Sequence, residues 1–331
     1  MDFSQSEFNV KSAVSGIGAI LSIASNVPVL VLLLTSRRLQ EDIATRAIAS
    51  LTVADLGIGA IAPMISAIIG SHGLEYRAHQ GLLVFYGCVH TAALLSAVWH
   101  LALVSIIRCC IIIKPLTYRS MFSNRVLYGS IGGLWGFCIL TCIVWVSIGG
   151  RYGFNYISFT PYLTNYEGNL QLAYIYLVLN TFAQGLIIII AYLKIFLVVR
   201  KQLRTIRPVE NQGLDNLTVS SIKAAKNLFV MTSVYGAAYL PVFVMFVPLS
   251  FPQWYVFAVN CIFYYNAAFN ALLYVVLHKT VREEYRKLFC PCLKGSRQRS
   301  FATGATLSLR GQTATSTCTV AVVSTGQLEA R

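Results

Sequence analysis

The sequence predicts an all-α membrane protein in which seven helices cross the bilayer and a short amphipathic eighth helix follows them. Of its 331 residues, 56% are apolar and only 11% are charged, whereas about a quarter of a soluble domain is charged. The apolar residues form runs of about 20 residues or more, the length that crosses a hydrocarbon core. These runs do not alternate with polar residues, which favours helices over the strands of a membrane barrel.

Hydropathy places the seven spans in order along the chain. The predicted spans are 14–35, 44–70, 81–113, 127–149, 170–200, 222–249 and 253–278. The first run is too long for the core of a cleavable signal peptide, and the polar N-terminus lacks the basic region of one. We therefore expect the first run to be a signal-anchor span.

The distribution of basic residues predicts the orientation of the chain. With the N-terminus outside, the outer segments hold 3 of the Lys and Arg residues, and the inner segments with the tail hold 23. Because basic loops mark the cytoplasmic side, the N-terminus is predicted to be extracellular. The net charge of +14 lies in these loops, without the aromatic-interleaved basic surface of a nucleic-acid binder, so membrane lipids rather than nucleic acid are the expected partners.

This topology divides the chain into four segments. They are an extracellular N-terminus (1–13), the seven-helix domain (14–278), an amphipathic helix with its cysteines (279–292) and a disordered cytoplasmic tail (293–331). The amphipathic helix is expected to lie on the inner leaflet. Cys290 and Cys292 follow it and are predicted to be acylated; the alternative is two unmodified thiols. The tail is rich in Ser and Thr, which suits it as a kinase substrate.

One acid, Asp55, falls well within a predicted span. A charged side chain at mid-membrane costs about 2.5–3.5 kcal/mol, so Asp55 needs polar partners. Asn26, Asn266 and Asn270 on other spans are the predicted donors. Such a cluster is explained equally well as polar glue between helices or as part of a switch.

Short motifs on successive spans resemble those of rhodopsin-like G-protein-coupled receptors over residues 14–292. They are Asn26, Leu51-x-x-x-Asp55, Arg108 followed by Pro115, Trp135, Tyr192, Tyr239-Leu240-Pro241 and Asn270-Ala-Leu-Leu-Tyr274. Each motif alone is weak, but seven in the right order are specific. The resemblance implies a plasma-membrane receptor, not an enzyme, that binds an extracellular ligand and activates a heterotrimeric G protein. It also implies kinases and arrestin as partners of the tail, and no cofactor.

The resemblance further assigns the residues of a conformational switch. Pro241 kinks span six, so that its inner end can swing outward. Arg108, at the inner end of span three, can meet Tyr192 or the carbonyls of a partner, and Tyr274 can rotate into the same space from one turn beyond Asn270. Pro115 and Leu116 open the inner loop that belongs to the same coupling surface. Taken alone, Arg108 is better explained as a basic anchor at the membrane surface.

Two departures from the family pattern concern the resting state. Ile107 stands where the family usually has an acid beside the arginine, and Ser221 stands where an acid often begins span six. Both carboxylates that would hold Arg108 are missing. We therefore hypothesise raised basal activity.

Further departures concern ions and the second outer loop. Ala97 replaces the serine that usually completes a sodium site with Asp55, so no metal site is expected, and Gln184 replaces a usual proline. The family's outer disulfide cannot form, because Leu83 stands at the expected position, Cys88 lies deeper, and 150–170 has no cysteine. The loop is expected either to be mobile or to be held by its aromatic residues.

In this class of receptor the ligand pocket opens outward between spans three, five, six and seven. The residues expected to line it are His90, Thr91, Leu94, Tyr176, Asn180, Tyr239, Phe243, Phe246, Asn260 and Tyr264. His90 stands where amine receptors carry the Asp that binds an ammonium group, and a neutral histidine cannot supply that charge. The aromatic groups suit a small, largely apolar, aromatic ligand, and Ala271 in the last span gives a faint likeness to melatonin receptors. The alternative for His90 is a histidine satisfied within the bundle.

Other classes of protein fit the seven spans less well. A transporter would usually show an internal repeat with broken helices, and seven spans do not divide into halves. A hydrolase needs a nucleophile with a base or a metal, but His90 and His100 lie almost opposite each other around one helix. A light sensor needs a lysine in the last span. The remaining alternative is a transporter or another seven-span protein without G-protein coupling.

Overall fold

The computed structural model describes residues 4–72, 79–114, 116–147, 150–164, 170–206 and 251–289, together with a few residues between 229 and 241. In chain order its helices are α1 (Gln5–Thr35), α2 (Arg37–Gln40), α3 (Ile43–Leu56), α4 (Ala62–Ser71), α5 (Gln80–Ile113), α6 (Tyr118–Met121), α7 (Asn124–Ser147), α8 (Leu170–Ile206), α9 (Gln253–Leu277) and α10 (Lys279–Phe289). A π-helical turn, Gly57–Ile61, joins α3 to α4. Between α7 and α8, strands β1 (Arg151–Asn155) and β2 (Thr160–Thr164) form an antiparallel hairpin.

Five described helical segments are long and apolar enough to cross a membrane. They are Gln5–Thr35, Ile43–Ser71, Gln80–Ile113, Asn124–Ser147 and Gln253–Leu277. The apolar stretch Phe182–Val198 within α8 coincides with the fifth predicted span. The helical residues described between 229 and 241 fall within the sixth.

The ends of the helices differ from the predicted ends where polar residues cap them. Helix α1 begins at Gln5, inside the segment predicted as an extracellular N-terminus, because the Ser4 hydroxyl accepts a hydrogen bond from the Glu7 amide at 3.3 Å. Such a cap satisfies an amide that has no partner within the helix, but its polar residues do not contribute to an apolar run. Helix α8 continues to Ile206, beyond the predicted end at residue 200.

Helix α5 lies at the centre of the bundle and α7 lies at its margin. Most of the apolar length of α5 is buried by protein, whereas most of α7 is exposed. A Cβ atom added to Gly132 on α7 would meet nothing within 4 Å. In a membrane protein an apolar surface of this kind faces lipid.

Close approach of three segments explains the glycine in the middle of the π-helical turn. A Cβ atom at Gly59 would lie 2.7 Å from the Ala267 Cβ atom on α9 and 2.5 Å from the Ser22 Oγ atom on α1. Any larger residue would push these helices apart.

The hairpin between α7 and α8 is held by aromatic packing, the second of the two outcomes expected for this loop. The Asn155 side chain accepts hydrogen bonds from the Ile157 and Ser158 amides at 2.8 and 3.2 Å. Phe159 then adopts a φ of 57°, a left-handed conformation that costs a non-glycine residue energy. Its ring is fully buried, and this burial compensates for the strained backbone.

Candidate functional site

The hairpin reaches into the bundle through Tyr152. This side chain is only 3% exposed and packs against Leu83 and Cys88 of α5 and Trp145 and Val146 of α7. A Cβ atom at Gly87 would lie 2.1 Å from its ring, so glycine is needed there. Burial raises the pKa of Tyr152, and the protonated hydroxyl lies 3.4 Å from the Thr91 hydroxyl.

The tip of the hairpin is fixed to three more helices. Ser66 on α4 donates a hydrogen bond to the Phe159 carbonyl at 2.8 Å and is also hydrogen-bonded to the Tyr86 hydroxyl. Lys11 on α1 donates to the Tyr156 carbonyl at 3.1 Å and lies 5.6 Å from the centre of the Phe257 ring on α9. The hairpin therefore covers one end of the bundle.

His90 lies beneath this cover between two tyrosines. Its ring centre is 6.3 Å from that of Tyr86 and 6.1 Å from that of Tyr264, both edge to face. His90 makes no hydrogen bond to another residue in the described part of the chain. The polar groups identified around it are the hydroxyls of Tyr86, Thr91 and Tyr264, and none of them carries a negative charge.

The other residues predicted to line the pocket are only partly brought together. Asn180 accepts hydrogen bonds from Trp99 at 3.0 Å and Gln184 at 3.2 Å, and Asn260 donates to the Val256 carbonyl of its own helix at 2.8 Å. Both amides thus already have intramolecular partners, and Leu94 is half-buried on α5. The side chains of Tyr176, Tyr239, Phe243 and Phe246 lie outside the described residues.

Three asparagines were predicted to donate hydrogen bonds to Asp55, and one of them does so in the described part of the chain. Asn270 donates to the Asp55 Oδ2 atom at 3.3 Å. Asn26 instead donates to the Ala267 and Ser22 carbonyls, each at 3.1 Å, so it ties α1 to α9 directly. Asn266 is buried nearby on α9.

At the opposite end of the bundle, Arg108 is paired with a carboxylate that the sequence motifs did not indicate. The Arg108 Nη2 atom lies 3.0 Å from the Asp42 Oδ2 atom. Asp42 also accepts from the Thr45 hydroxyl at 3.2 Å, and Thr45 lies 3.4 Å from the Tyr274 hydroxyl. The pair therefore links α5, α3 and α9, and corrects the expectation that Arg108 has no acid to hold it.

The local sequence explains why Asp42 stands in this position. Its side chain caps α3 by accepting a hydrogen bond from the Ala44 amide at 3.2 Å, which fixes the carboxylate at the end of the helix. Its position just before the second predicted span, on the same side as Arg108, was the only available signal for this contact.

Three further switch residues lie within the described part of the chain. Leu116 is 95% exposed, Tyr192 is buried with its ring 5.7 Å from that of Phe229, and Pro241 is helical. His278, just beyond α9, has its ring centre 5.3 Å from that of Tyr274. Pro115, Cys290 and Cys292 lie outside the described residues.

His100 belongs to a structural contact rather than to a catalytic group. Its Nε2 atom lies 3.0 Å from the Ser50 hydroxyl, which accepts from the Trp135 indole at 2.9 Å. The other ring nitrogen faces the Ser96 carbonyl at 2.8 Å. These contacts join α3, α5 and α7.

Comparison with known proteins agrees with this arrangement. Residues 25–274 match the sequence model of the 7 transmembrane receptor (rhodopsin family). The chain is 25% identical to trace amine-associated receptor 7d of Mus musculus, over 82% of this chain and 79% of that protein. It is 28% identical to trace amine-associated receptor 5 of Rattus norvegicus, over 72% and 73%. The crystal structure of squid rhodopsin superposes with a TM-score of 0.74 at 18% identity, covering 88% of each chain.

These matches define a multi-pass receptor with a seven-helix bundle, and not an enzyme. The chain belongs to the rhodopsin family of seven-transmembrane receptors. Membership places it in the plasma membrane and implies coupling to a heterotrimeric G protein.

Proposed function

We propose that the chain receives a small aromatic ligand at its hairpin-covered end and activates a heterotrimeric G protein at the Arg108 end. The observation that carries this proposal is the Arg108–Asp42 pair, which joins three helices at one end of the bundle. Breaking this pair would free a guanidinium group with five donors in fixed directions. The positive-inside pattern predicts that this end faces the cytoplasm.

Activation then consists of a shift between two arrangements of the same bundle. In the resting arrangement Arg108 is held by Asp42, with its side chain only 8% exposed. Its Nε atom is buried with no hydrogen-bond partner among the described residues, so the resting site does not use all of its donors. Outward movement of span six, kinked at Pro241, would open the site to the G protein.

We also expect measurable basal activity, although an acid does hold Arg108. The Asp42 side chain is 34% exposed, and partly exposed ion pairs contribute little free energy because water screens them. A single weak pair leaves a fraction of molecules in the active arrangement without ligand.

Nucleotide exchange on a purified G protein tests this function. The full-length chain, reconstituted in lipid nanodiscs without ligand, should accelerate exchange, and Arg108→Ala should abolish the acceleration. Arg119→Ala is the matched control, because Arg119 is exposed and its described contacts are with the adjacent Tyr118. Exchange that is equal with and without the chain, or unchanged by Arg108→Ala, would refute the proposal.

The chemistry of the covered end favours an uncharged ligand. His90 has no hydrogen bond to another described residue, and its identified neighbours are aromatic rings and hydroxyls. An aromatic ligand would stack against the Tyr264 ring and form a hydrogen bond with the His90 imidazole. The names of the relatives favour an amine instead, but an ammonium group needs an anionic or strongly polarised partner.

A pair of ligands that differ only in charge separates these two possibilities. An arylethyl alcohol should activate the wild-type receptor more strongly than the arylethylamine of the same skeleton, and His90→Asp should reverse that order. Stronger activation of the wild type by the amine would disprove the uncharged-ligand proposal while leaving G-protein coupling intact.

The cytoplasmic tail supplies the proposed regulatory partners. Cys290 and Cys292 would be acylated and anchor the end of α10, and the Ser/Thr-rich segment would be phosphorylated by kinases and then bind arrestin. Metabolic labelling with a palmitate analogue should fail in the Cys290→Ser, Cys292→Ser double variant. Label that is absent from the wild type as well would rule out the acylation.

A further inference from the structure

Two cysteines on neighbouring helices face each other beneath the hairpin. The Cys142 thiol on α7 lies 3.5 Å from the Cys88 carbonyl on α5, and both cysteines are free thiols in the structure. Cys142 is buried and Cys88 is half-buried. The switch and the ligand site described above use neither residue.

The surroundings of the two thiols would keep them together. Tyr152 packs against Cys88 on one side and against Trp145 and Val146, one turn beyond Cys142, on the other. The space beside Gly87 is filled by the Tyr152 ring, 2.1 Å from where a Cβ atom would lie, so Tyr152 packs directly on the α5 backbone next to Cys88. The thiols therefore occupy a packed seam between α5 and α7.

A disulfide requires a sulfur–sulfur distance of about 2.05 Å and nearby Cα atoms. The Cys142 sulfur already lies 3.5 Å from the backbone carbonyl of Cys88, so rotation about the two Cα–Cβ bonds is the movement that bond formation requires. The pair also lies next to the hairpin, on the side that the positive-inside pattern predicts to be extracellular, and disulfides persist on that side.

We propose that Cys88 and Cys142 form a disulfide in the mature protein, linking α5 to α7 beneath the hairpin. Two S–H bonds break and one S–S bond forms, and two electrons and two protons pass to a protein disulfide of the secretory pathway, which is reduced to a dithiol. This bond would fix both walls against which Tyr152 packs. It would thereby hold the hairpin without any cysteine in the hairpin itself.

Peptide mapping of the full-length protein tests the bond directly. Cells expressing the chain are treated with an alkylating agent before lysis, and the protein is then purified, denatured with fresh alkylating agent present, and digested without reduction. A cross-linked peptide containing Cys88 and Cys142 is expected, with neither residue alkylated. Cys138, one turn before Cys142, and Cys261 should be alkylated without reduction. Alkylation of both Cys88 and Cys142 in unreduced, denatured protein would overturn the proposal.

Thermal stability provides a second measurement. A reducing agent should lower the Tm of the wild type and of the control Cys138→Ser, and should leave the Tm of Cys142→Ser unchanged, because that variant has no bond to reduce. If reduction shifts all three variants equally, or shifts none of them, the proposed bond does not contribute to the fold. The mapping result does not depend on how well any variant folds.

Discussion

At the scale of single residues, Arg108 illustrates how one missing charge is replaced by another from a different part of the chain. Ile107, its neighbour, is fully buried and apolar, and so cannot hold the guanidinium group. Asp42 takes this place from the start of α3, at 3.0 Å. The same carboxylate caps its own helix, so one side chain serves local and long-range structure together.

Neutralising Asp42 should raise ligand-free signalling. Asp42→Asn removes the charge but keeps a good helix cap, and a partly exposed pair contributes up to about 1 kcal/mol. We expect basal nucleotide exchange to rise by about twofold to fivefold. The neighbouring exposed Glu41 provides the control, since Glu41→Gln should leave exchange at the wild-type rate. No rise in Asp42→Asn would mean that the pair does not restrain the resting state.

The sequence motif predicts a functional role for Arg108, but it could not predict the partner of this residue. The family motif locates an arginine by its immediate neighbours and its depth in the span. Asp42 is 66 positions away in the chain, and only the packing of α3 against α5 brings the two together. The same reason explains why Asn270 and not Asn26 donates to Asp55, since three asparagines at similar depths cannot be ranked without helix rotations.

At the scale of elements, the hairpin is the part that hydropathy could not predict. The lengths of the apolar runs predict the spans. The predicted span boundaries agree with the helix ends in the described part of the chain to within a few residues at most ends. Strands β1 and β2 depend instead on the burial of Tyr152 and Phe159 by residues from five other elements. An aromatic-rich loop indicates only that some such packing is available.

Enlarging Gly87 should loosen the hairpin. Gly87→Ala places a methyl group where the Tyr152 ring lies, 2.1 Å away, so the ring must move and part of its burial is lost. Overpacking of this kind costs about 1–3 kcal/mol, and we expect a lower Tm by differential scanning fluorimetry in detergent.

Gly132→Ala is the matched control, because a methyl group there meets nothing within 4 Å. Its Tm should equal or slightly exceed that of the wild type, since alanine favours a helix. Equal Tm values for Gly87→Ala and the wild type would mean that the burial of the Tyr152 ring does not require a glycine at position 87.

At the scale of the whole molecule, the orientation of the chain rests on the distribution of 26 basic residues. That pattern predicts that the hairpin lies outside the cell and the Arg108–Asp42 pair inside it. The fold itself was predictable from the sequence, because seven long apolar runs have few alternatives in a bilayer. The ligand was not predictable, since four of the ten predicted pocket side chains lie outside the described residues and two others, Asn180 and Asn260, already have intramolecular partners.

Epitope tags can test the orientation in intact cells. A tag before Met1 should bind antibody without permeabilisation, and a tag after Arg331 should bind only after it. The acceptor Asn216-Leu217-Thr218 should carry no sugar, because its loop is predicted to be cytoplasmic. Sugar on Asn216 in the mature protein would invert the topology and with it the assignment of the two ends.

The π-helical turn Gly57–Ile61 has a consequence for any numbering shared with relatives. Such a turn holds one residue more than an α-turn, and each residue rotates the following helix by about 100°. Ser66, which meets Tyr86 and the Phe159 carbonyl, points toward them only because of this extra residue. Beyond residue 61 in the second span, a residue of this chain therefore points in the same direction as the residue one alignment position away in a relative. This shift is absent in relatives that carry the same insertion.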